Sequence, residues 1–295
     1  MGLFRASTRA LWRETRARDK SLGQFIHAYV YARWPYGYIG SAIGEIKRLV
    51  PKRVLFGPWL LKALRPQDWA ESYHGKAVPT EEAVRLVRIQ EAVDTVVPES
   101  VIPYHTAREL ILSRDMPIVV LDCPCRLSRK NPCLPLDVCL IMGDPFCSFV
   151  LEHHPERSRA IDREEAVAIL RAEAERGHVH HVFFKAAMLD RFYAICNCCS
   201  CCCGAMMAQR NGTPMLIASG YVAQVDQGRC VGCGQCVSHC PFEALLLDDG
   251  RAVVDSAACM GCGVCVGTCS QESLSLVLDA TKPAPLTFPP EMAEA

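Results

Sequence analysis

No stretch of this chain approaches the ~18–20 consecutive apolar residues that a bilayer-spanning helix needs. Its apolar runs are short, and the one at residues 54–61 is already interrupted by Gly57 and Pro58. Net charge is also lacking, with 32 Lys+Arg against 32 Asp+Glu. The opening MGLFRASTRALWRETRARDK has no apolar core before a small-residue cleavage site and no Arg-Arg pair. Ala6 stands where a myristoylation signal wants Ser or Thr. Cytoplasmic residence is the expectation. Gly37, Gly40 and Gly44 do not form G-x-G-x-x-G, and no phosphate loop or Ser/His/Asp pattern stands out. These absences remove dinucleotide binding, nucleotide hydrolysis and serine-type acyl transfer from the leading readings. Disorder is excluded by a composition that is 50% hydrophobic and 22% charged. At roughly 150 residues per domain, a chain of this length suggests about two domains.

What the chain has in abundance is cysteine, 19 of them among 295 residues. An odd number in a chain this long, gathered into two tight bunches and two regular runs, does not read as a small secreted disulfide scaffold. It reads as metal ligation in a reducing compartment.

Charge is unevenly placed. Residues 1–65 carry 13 Lys+Arg against 3 Asp+Glu, and the other 230 carry 19 against 29. Leu3, Phe4, Leu11 and Trp12 beside Arg5, Arg9, Arg13 and Arg16 make a short basic amphipathic pattern, followed by the aromatic QFIHAYVYARWPYGYIG. Two readings follow: docking to anionic lipid at the inner membrane face or to an acidic partner, or a solvated basic helix packed on its own domain. Overall neutrality and the lack of a recognition helix argue against nucleic acid as a partner.

From about Pro79 the pattern is mixed α/β. Thr80, Glu81 and Glu82 open a helix with Ala83, Val84, Val87 and Val93 on its apolar face. Thr106 to Glu109 has capping-box form. Ile118 to Leu121 reads as a buried strand ending at Cys123. Asp162 to Glu165 opens a further helix, with Val167 and Leu170 on one face and Gly177 at its end. His178 to Phe184 reads as a strand. Paired acids such as Glu81-Glu82 and Glu164-Glu165 sit at helix starts, where the macrodipole favours them.

An internal repeat follows at an offset of 29 residues. Val225-Asp226, Cys230, Gly232-Cys233-Gly234, Cys236, Cys240 and Leu245 recur as Val254-Asp255, Cys259, Gly261-Cys262-Gly263, Cys265, Cys269 and Leu274. Each half is C-x2-C-x2-C-x3-C, and Pro241 follows the first. Two intervening residues let a tight loop aim successive thiolates at one small cluster, and the glycines let the backbone close round it. The fourth cysteine lies past the turn and points toward the opposite site. One ligand set is therefore Cys230, Cys233, Cys236 and Cys269, and the other is Cys259, Cys262, Cys265 and Cys240. A pair of zinc sites uses similar elements but needs no such interlocked triplet-plus-one.

Residues 221–278 thus resemble the two-cluster bacterial ferredoxins. The resemblance implies two [4Fe–4S] clusters in a pseudo-twofold βαβ repeat, and one-electron relay rather than chemistry on a substrate. Ser270 departs from the pattern, standing where a second proline is common. Small apolar neighbours (Val231, Val237, Val264, Val266) would limit water access and tune potential.

Upstream lie Cys123-Pro-Cys125-Arg126, Cys133, Cys139 and Cys147, then six cysteines within Cys196 to Cys203. Adjacent cysteines cannot all face one metal. Cys196, Cys199 and Cys202 form a C-x2-C-x2-C register and Cys198 and Cys201 a second C-x2-C, with a remote fourth thiolate expected from the first bunch. Alternatively Cys123, Cys125, Cys133 and Cys139 form their own site. The candidate ligands are Cys123, Cys125, Cys133, Cys139, Cys196, Cys199 and Cys202, for at least one further iron–sulfur cluster or for structural zinc. Eleven thiols do not divide evenly into four-ligand sites, so some stay free. The radical-type C-x3-C-x2-C fails at Ala205. His153, His154, His178, His180 and His181 read as surface or satisfied core before they read as ligands. CPCR, EEAVAILRAEAERGHVHH, CNCCSCCC and the paired runs together resemble, over residues 79–280, a group of ferredoxin-like proteins of anaerobes. That resemblance implies a Cys-rich module joined to a ferredoxin, and no particular reaction.

The expected fold class is α+β. A basic, mainly helical segment (1–75) precedes a Cys-rich α/β metal-binding module (76–215), a two-[4Fe–4S] ferredoxin domain (216–280) and a Pro-rich, irregular or mobile tail (281–295). The expected function is a multi-cluster electron-transfer protein serving a redox partner. The alternatives are an iron–sulfur reductase whose central module carries a substrate-binding cluster, and a redox- or metal-sensing regulator.

Overall fold

The computed structural model describes residues 5–42 and 70–292. Leu3, Phe4 and residues 43–69 of the expected helical segment lie outside the described residues, as do residues 293–295. Helices and strands are mixed throughout, an α+β arrangement with the Cys-x2-Cys repeat at its C-terminal end.

Among the described residues nine strands form the main sheet: β1 (Tyr73–Val78), β2 (Val93–Val96), β3 (Glu109–Leu112), β4 (Ile118–Asp122), β5 (Asp137–Met142), β6 (Ser158–Ile161), β7 (Val179–Lys185), β8 (Arg191–Cys198) and β9 (Leu216–Ile217). Their order is β6-β4-β5-β8-β7-β1-β9, with β3 joined to β8 and β2 to β3. Period-two alternation divides each strand between two cores. In β4, Ile118 and Val120 face one side, Val119 and Leu121 the other. The first side is covered by α4 (Thr80–Arg88) and α7 (Arg163–Glu175), through Val84, Val87, Val167 and Leu170. The second is covered by α1 (Ala6–Ala17), α2 (Leu22–Arg33) and α6 (Phe146–His153), with α3 (Pro35–Ala42) and α5 (Pro124–Leu127) beside them. All the cysteines of the sheet itself lie toward this second core.

The N-terminal helices are part of this packing. Leu11 is buried, Tyr29 meets Phe149 edge-on at 5.8 Å, and the Tyr31 and Tyr193 hydroxyls hydrogen-bond at 2.8 Å. Two of the basic residues are used internally, Arg18 against Glu109 and Lys20 against Asp190.

α7 begins and ends as its sequence suggests. Asp162 caps it by accepting from the Glu165 N–H at 2.8 Å. Gly177, at φ +77°, donates to the Ala174 carbonyl while His178 donates to that of Glu173, a Schellman ending.

Three expectations are corrected. Thr106 to Glu109 caps no helix, because Ala107 sits at φ +54° and Glu109 enters β3, where Leu110 and Leu112 are the buried alternate positions. The reciprocal capping box is at Ser21 and Gln24, with bonds of 2.8 and 3.2 Å. Val93 does not share the face of α4, since that helix ends at Arg88 and Val93 opens β2. The tail is irregular but not loose. Leu286 and Phe288 are buried in the α4/α7 core, and the wholly buried Lys76 donates to the carbonyls of Ala284 (2.8 Å), Val101 (3.0 Å) and Pro283 (3.4 Å).

Candidate metal centres

The C-terminal repeat is built from two strand pairs and two short helices. β10 (Tyr221–Val225) pairs antiparallel with β13 (Leu274–Leu278), and β11 (Leu245–Asp248) with β12 (Arg251–Val254). α9 (Gln235–His239) packs against α10 (Val264–Thr268). The cysteine loops need glycine at matching positions. Gly232 has φ +67°, and a Cβ there would lie 1.9 Å from the Gly250 carbonyl oxygen. Gly261 has φ +62°, and a Cβ there would lie 2.1 Å from that of Tyr221. No L side chain fits either place.

Two cavities result. One, of about 310 Å³, is lined by Cys230, Cys233, Cys236 and Cys269, and the other, of about 340 Å³, by Cys240, Cys259, Cys262 and Cys265. Each therefore gathers three thiols from one run and the fourth from the other. Donors reach the sulfurs: Ala252 N–H to Cys230 Sγ at 3.4 Å, Ala244 N–H to Cys240 Sγ at 3.3 Å, and the Ser273 hydroxyl beside Cys269 Sγ at 3.2 Å. Backbone N–H groups from Ala252 and Gly232 draw the Cys230 thiol below its ordinary value, and Ser273 does the same for Cys269. Burial instead pushes Cys265 up to about 12. The two sites thus differ in polarity, which is one of the quantities that set a cluster's potential.

The central thiols fall into two groups that meet at Cys199. β4 delivers Cys123, α5 holds Cys125, and the register pairs Cys139 of β5 with Cys196 of β8. Their thiols follow one another in the series Cys196–Cys139–Cys123–Cys125–Cys203–Cys198, each close enough to shift its neighbour's protonation. These six thiols and Cys199 line a cavity of about 830 Å³ together with Tyr31, Tyr73 and Tyr193. The Lys185 ammonium stands near it, 3.4 Å from the Tyr31 ring centre and 4.3 Å from that of Tyr73, a desolvated cation held by aromatic faces. Burial pulls its pKa far below the usual lysine value.

The second group gathers at the loop that follows β8. Cys133, Cys199 and Cys201 bring their sulfurs within 4.8 Å of one another. Cys202 Sγ is 3.6 Å from Cys201 Sγ and accepts the Cys133 N–H at 3.5 Å. The Cys196/Cys199/Cys202 register is therefore divided: Cys196 lines the cavity alone, Cys199 lines it and also joins Cys133 and Cys201, and Cys202 lies beside Cys201 outside the cavity lining. Cys123, Cys125, Cys133 and Cys139 are divided likewise, Cys133 leaving the rest. Cys198 and Cys203 join the inner ring and Cys201 the outer group. For Cys201 the second C-x2-C was a signal, but for Cys203 the spacing offered none. Cys147 belongs to neither group; its thiol donates to backbone carbonyls of Pro117 and Ile141.

Between the groups sits Arg126, completely buried. It donates to Glu173 at 2.5 Å, to the Asn197 carbonyl at 3.0 Å and to the Pro135 carbonyl. Burial alone would raise the Glu173 carboxyl, but its bonds from His178 and Arg126 prevail and hold it below the usual range. The Schellman ending of α7 sets His178 Nδ1 2.6 Å from Glu173, and His178 Nε2 then lies 3.6 Å from Cys133 Sγ. His180 Nδ1 meets Asn197 Oδ1 at 2.6 Å. His181 is fully buried beside Cys196 with neither ring nitrogen hydrogen-bonded, and burial lowers its pKa to about 3, so its ring is neutral.

The class these runs define is matched directly, since residues 223–246 fit the 4Fe-4S binding domain family. Ferredoxin-2 of Desulfomicrobium norvegicum is 50% identical over 34 residues, which are 12% of this chain and 58% of that protein. The chain thus spans a little over half the length of that curated relative. No solved structure matches it. Among the described residues no helix is long and apolar enough to cross a membrane.

Proposed function

We propose that this chain is a multi-centre iron–sulfur electron-transfer protein. Its C-terminal repeat would act as a pseudo-twofold ferredoxin carrying two [4Fe–4S] clusters. The observation that carries this reading is the pair of cavities, each lined by three thiols of one run and the fourth of the other. The ligands would be Cys230, Cys233, Cys236 and Cys269 in one and Cys259, Cys262, Cys265 and Cys240 in the other. When bound, the clusters supply one-electron storage; the chain's residues exclude water, donate N–H groups to sulfur and hold the two sites side by side.

The inner thiols of the central module are proposed to hold a further iron–sulfur cluster, extending the relay. Support comes from a shared wall. Phe242 and Met260 line the Cys240/Cys259 cavity and also pack on the core around the inner thiols, and the Phe242 ring stands 6.5 Å from that of His181. Anaerobic purification with iron and sulfide counted per chain, followed by EPR of the reduced protein, tests the proposal. About eight irons are expected for two cubes, and more when the inner site is filled. Zinc alone in the C-terminal sites would sink it.

One observation favours a second reading, an iron–sulfur reductase. The central cavity, at about 830 Å³, is more than twice either C-terminal one and carries tyrosine hydroxyls. A change in the central cluster's EPR signal on adding cyanide as a small ligand would favour it over pure relay. The basic residues 1–65 are proposed to dock an acidic redox partner or the anionic inner membrane face, an idea supported by exposed Leu22, Ile26 and Trp34. Such association must weaken as salt screens it.

A further inference from the structure

The eleven central thiols do not form one site, and the two groups, which meet at Cys199, differ in spacing. The ferredoxin-type thiols stand apart around cavities of more than 300 Å³. The inner central thiols are strung round a larger cavity. Cys133, Cys199 and Cys201 do the opposite, converging until every pair of sulfurs is within 4.8 Å. Among the described residues, this is where three metal-ligating side chains meet at one point. Four thiolates round a single ion with metal–sulfur bonds of about 2.3 Å are separated by about 3.8 Å along each tetrahedral edge. The 3.6 Å between Cys201 Sγ and Cys202 Sγ is close to that edge, and Cys202, which lies outside the mutual 4.8 Å group, would draw in toward Cys133 and Cys199 to complete the tetrahedron.

The geometry points to a separate mononuclear site, in which Cys133, Cys199, Cys201 and Cys202 bind one tetrahedral, thiophilic divalent ion of the zinc type. The surroundings suit such an ion. The Cys133 N–H bonds Cys202 Sγ, as a donor stabilising a thiolate would. His178 approaches Cys133 Sγ through Nε2 while its Nδ1 is anchored on Glu173, the carboxylate–histidine pairing that orients groups round protein-bound metals. Arg126 sets a buried positive charge against Cys199 and Cys123, offsetting the excess negative charge of four thiolates on a divalent ion. Binding would release the thiol protons, because only thiolates ligate.

The site also has a task. Cys133 comes from the segment between α5 and β5, the other three from the segment between β8 and α8 (Gly204–Arg210). One ion tying them together would fix the stretch of cavity wall that Cys199 supplies between Cys198 and Cys203. The ion would be structural, and so independent of whether the iron–sulfur reading holds.

The test uses the full chain, isolated anaerobically from zinc-supplemented medium, with zinc and iron counted together. About one zinc per chain is expected. Zinc-edge X-ray absorption should show a first shell of four sulfurs at about 2.3 Å. Cys201→Ser and Cys133→Ser, on two different segments, should each lose that zinc while iron per chain is unchanged. Cys147→Ser, outside both groups, should lose neither. A nitrogen- and oxygen-rich zinc shell, the absence of bound zinc, or a loss of about four irons in Cys201→Ser would each overturn the proposal, the last by making the group a ligand set for a cube. The absorption spectrum is taken on unaltered protein, so it stands even where a variant fails to fold. Iron missing throughout with one four-sulfur zinc retained would remove the relay reading and leave this one standing.

Discussion

The C-terminal repeat and the central module use the same ligand atom in opposite ways. In the repeat, thiols are presented by loops whose glycines let the backbone cross at contact distance, and three of each four come from one stretch of eleven residues or fewer. In the central module strands present some of them and the loops at strand ends the rest, and neighbours in space can be far apart in sequence, as Cys139 and Cys196 are. Ligand sets of the first kind follow from local spacing. Sets of the second kind follow from sheet register, which no count between cysteines reveals.

The sharpest way to break this comparison is at the local end. Gly261→Ala places a Cβ on the Tyr221 carbonyl in a backbone conformation that L residues avoid. It should abolish assembly of the cluster held by Cys259, Cys262, Cys265 and Cys240, a loss of about four irons per chain. Unchanged iron content would show that the loop tolerates a wider path. At the long-range end, Arg126→Ala removes the buried partner of Glu173 and leaves it Arg176 and His178, so the cost should fall at or below the ~3–5 kcal/mol of a fully broken buried pair. Denaturant unfolding monitored by the central tyrosines should register that loss. The C-terminal iron should be retained, because Arg126 touches none of those loops.

A smaller effect separates the tail from the repeat it follows. Burial lowers Lys76 from 10.5 to about 7 in the folded chain. Between those values the unfolded chain binds the extra proton, so stability climbs as pH rises from 7 toward 10.5, by up to about 1.4 kcal/mol per unit. Below pH 7 both states are protonated and the penalty is constant. Lys76→Met should flatten that slope in unfolding curves taken at several pH values. A slope unaltered in the variant would assign it to another group. The smallest effect is Ser21→Ala, which removes the side-chain acceptor of the α2 capping box and should cost about 1 kcal/mol. Thermal unfolding would show whether α2 melts with the sheet it covers or ahead of it.

Much of the architecture was legible. β4 before Cys123, α7 between Asp162 and Gly177, and the strand through His180 and Phe183 all announced themselves by alternation or by caps. Val93 and the Thr106–Glu109 motif misled, because a four-residue pattern carries no information about which period its neighbours follow. The buried tail misled for a related reason. Proline-rich sequence forbids regular structure but does not forbid packing, and Leu286 and Phe288 supply the apolar surface that anchors it. At the candidate sites, the two C-terminal ligand sets read from spacing alone are the sets that line the two cavities. The central set could not be read this way, since Cys196 and Cys199 are separated by the end of β8, and Cys199 alone of the two also meets Cys133 and Cys201.

The sequence by itself determined where thiolates would be clustered, the 29-residue repeat that pairs two loops, and the absence of any apolar run long enough to span a bilayer. Those are properties of short segments, and short-range sterics is sufficient to express them. Only the tertiary structure decided that seven central cysteines line an inner cavity while one of them, Cys199, also meets Cys133 and Cys201. It alone placed a fully buried arginine between the two groups and folded the tail under a buried lysine. Each of these depends on strand register and on desolvation, which exist only once distant parts of the chain have been brought together.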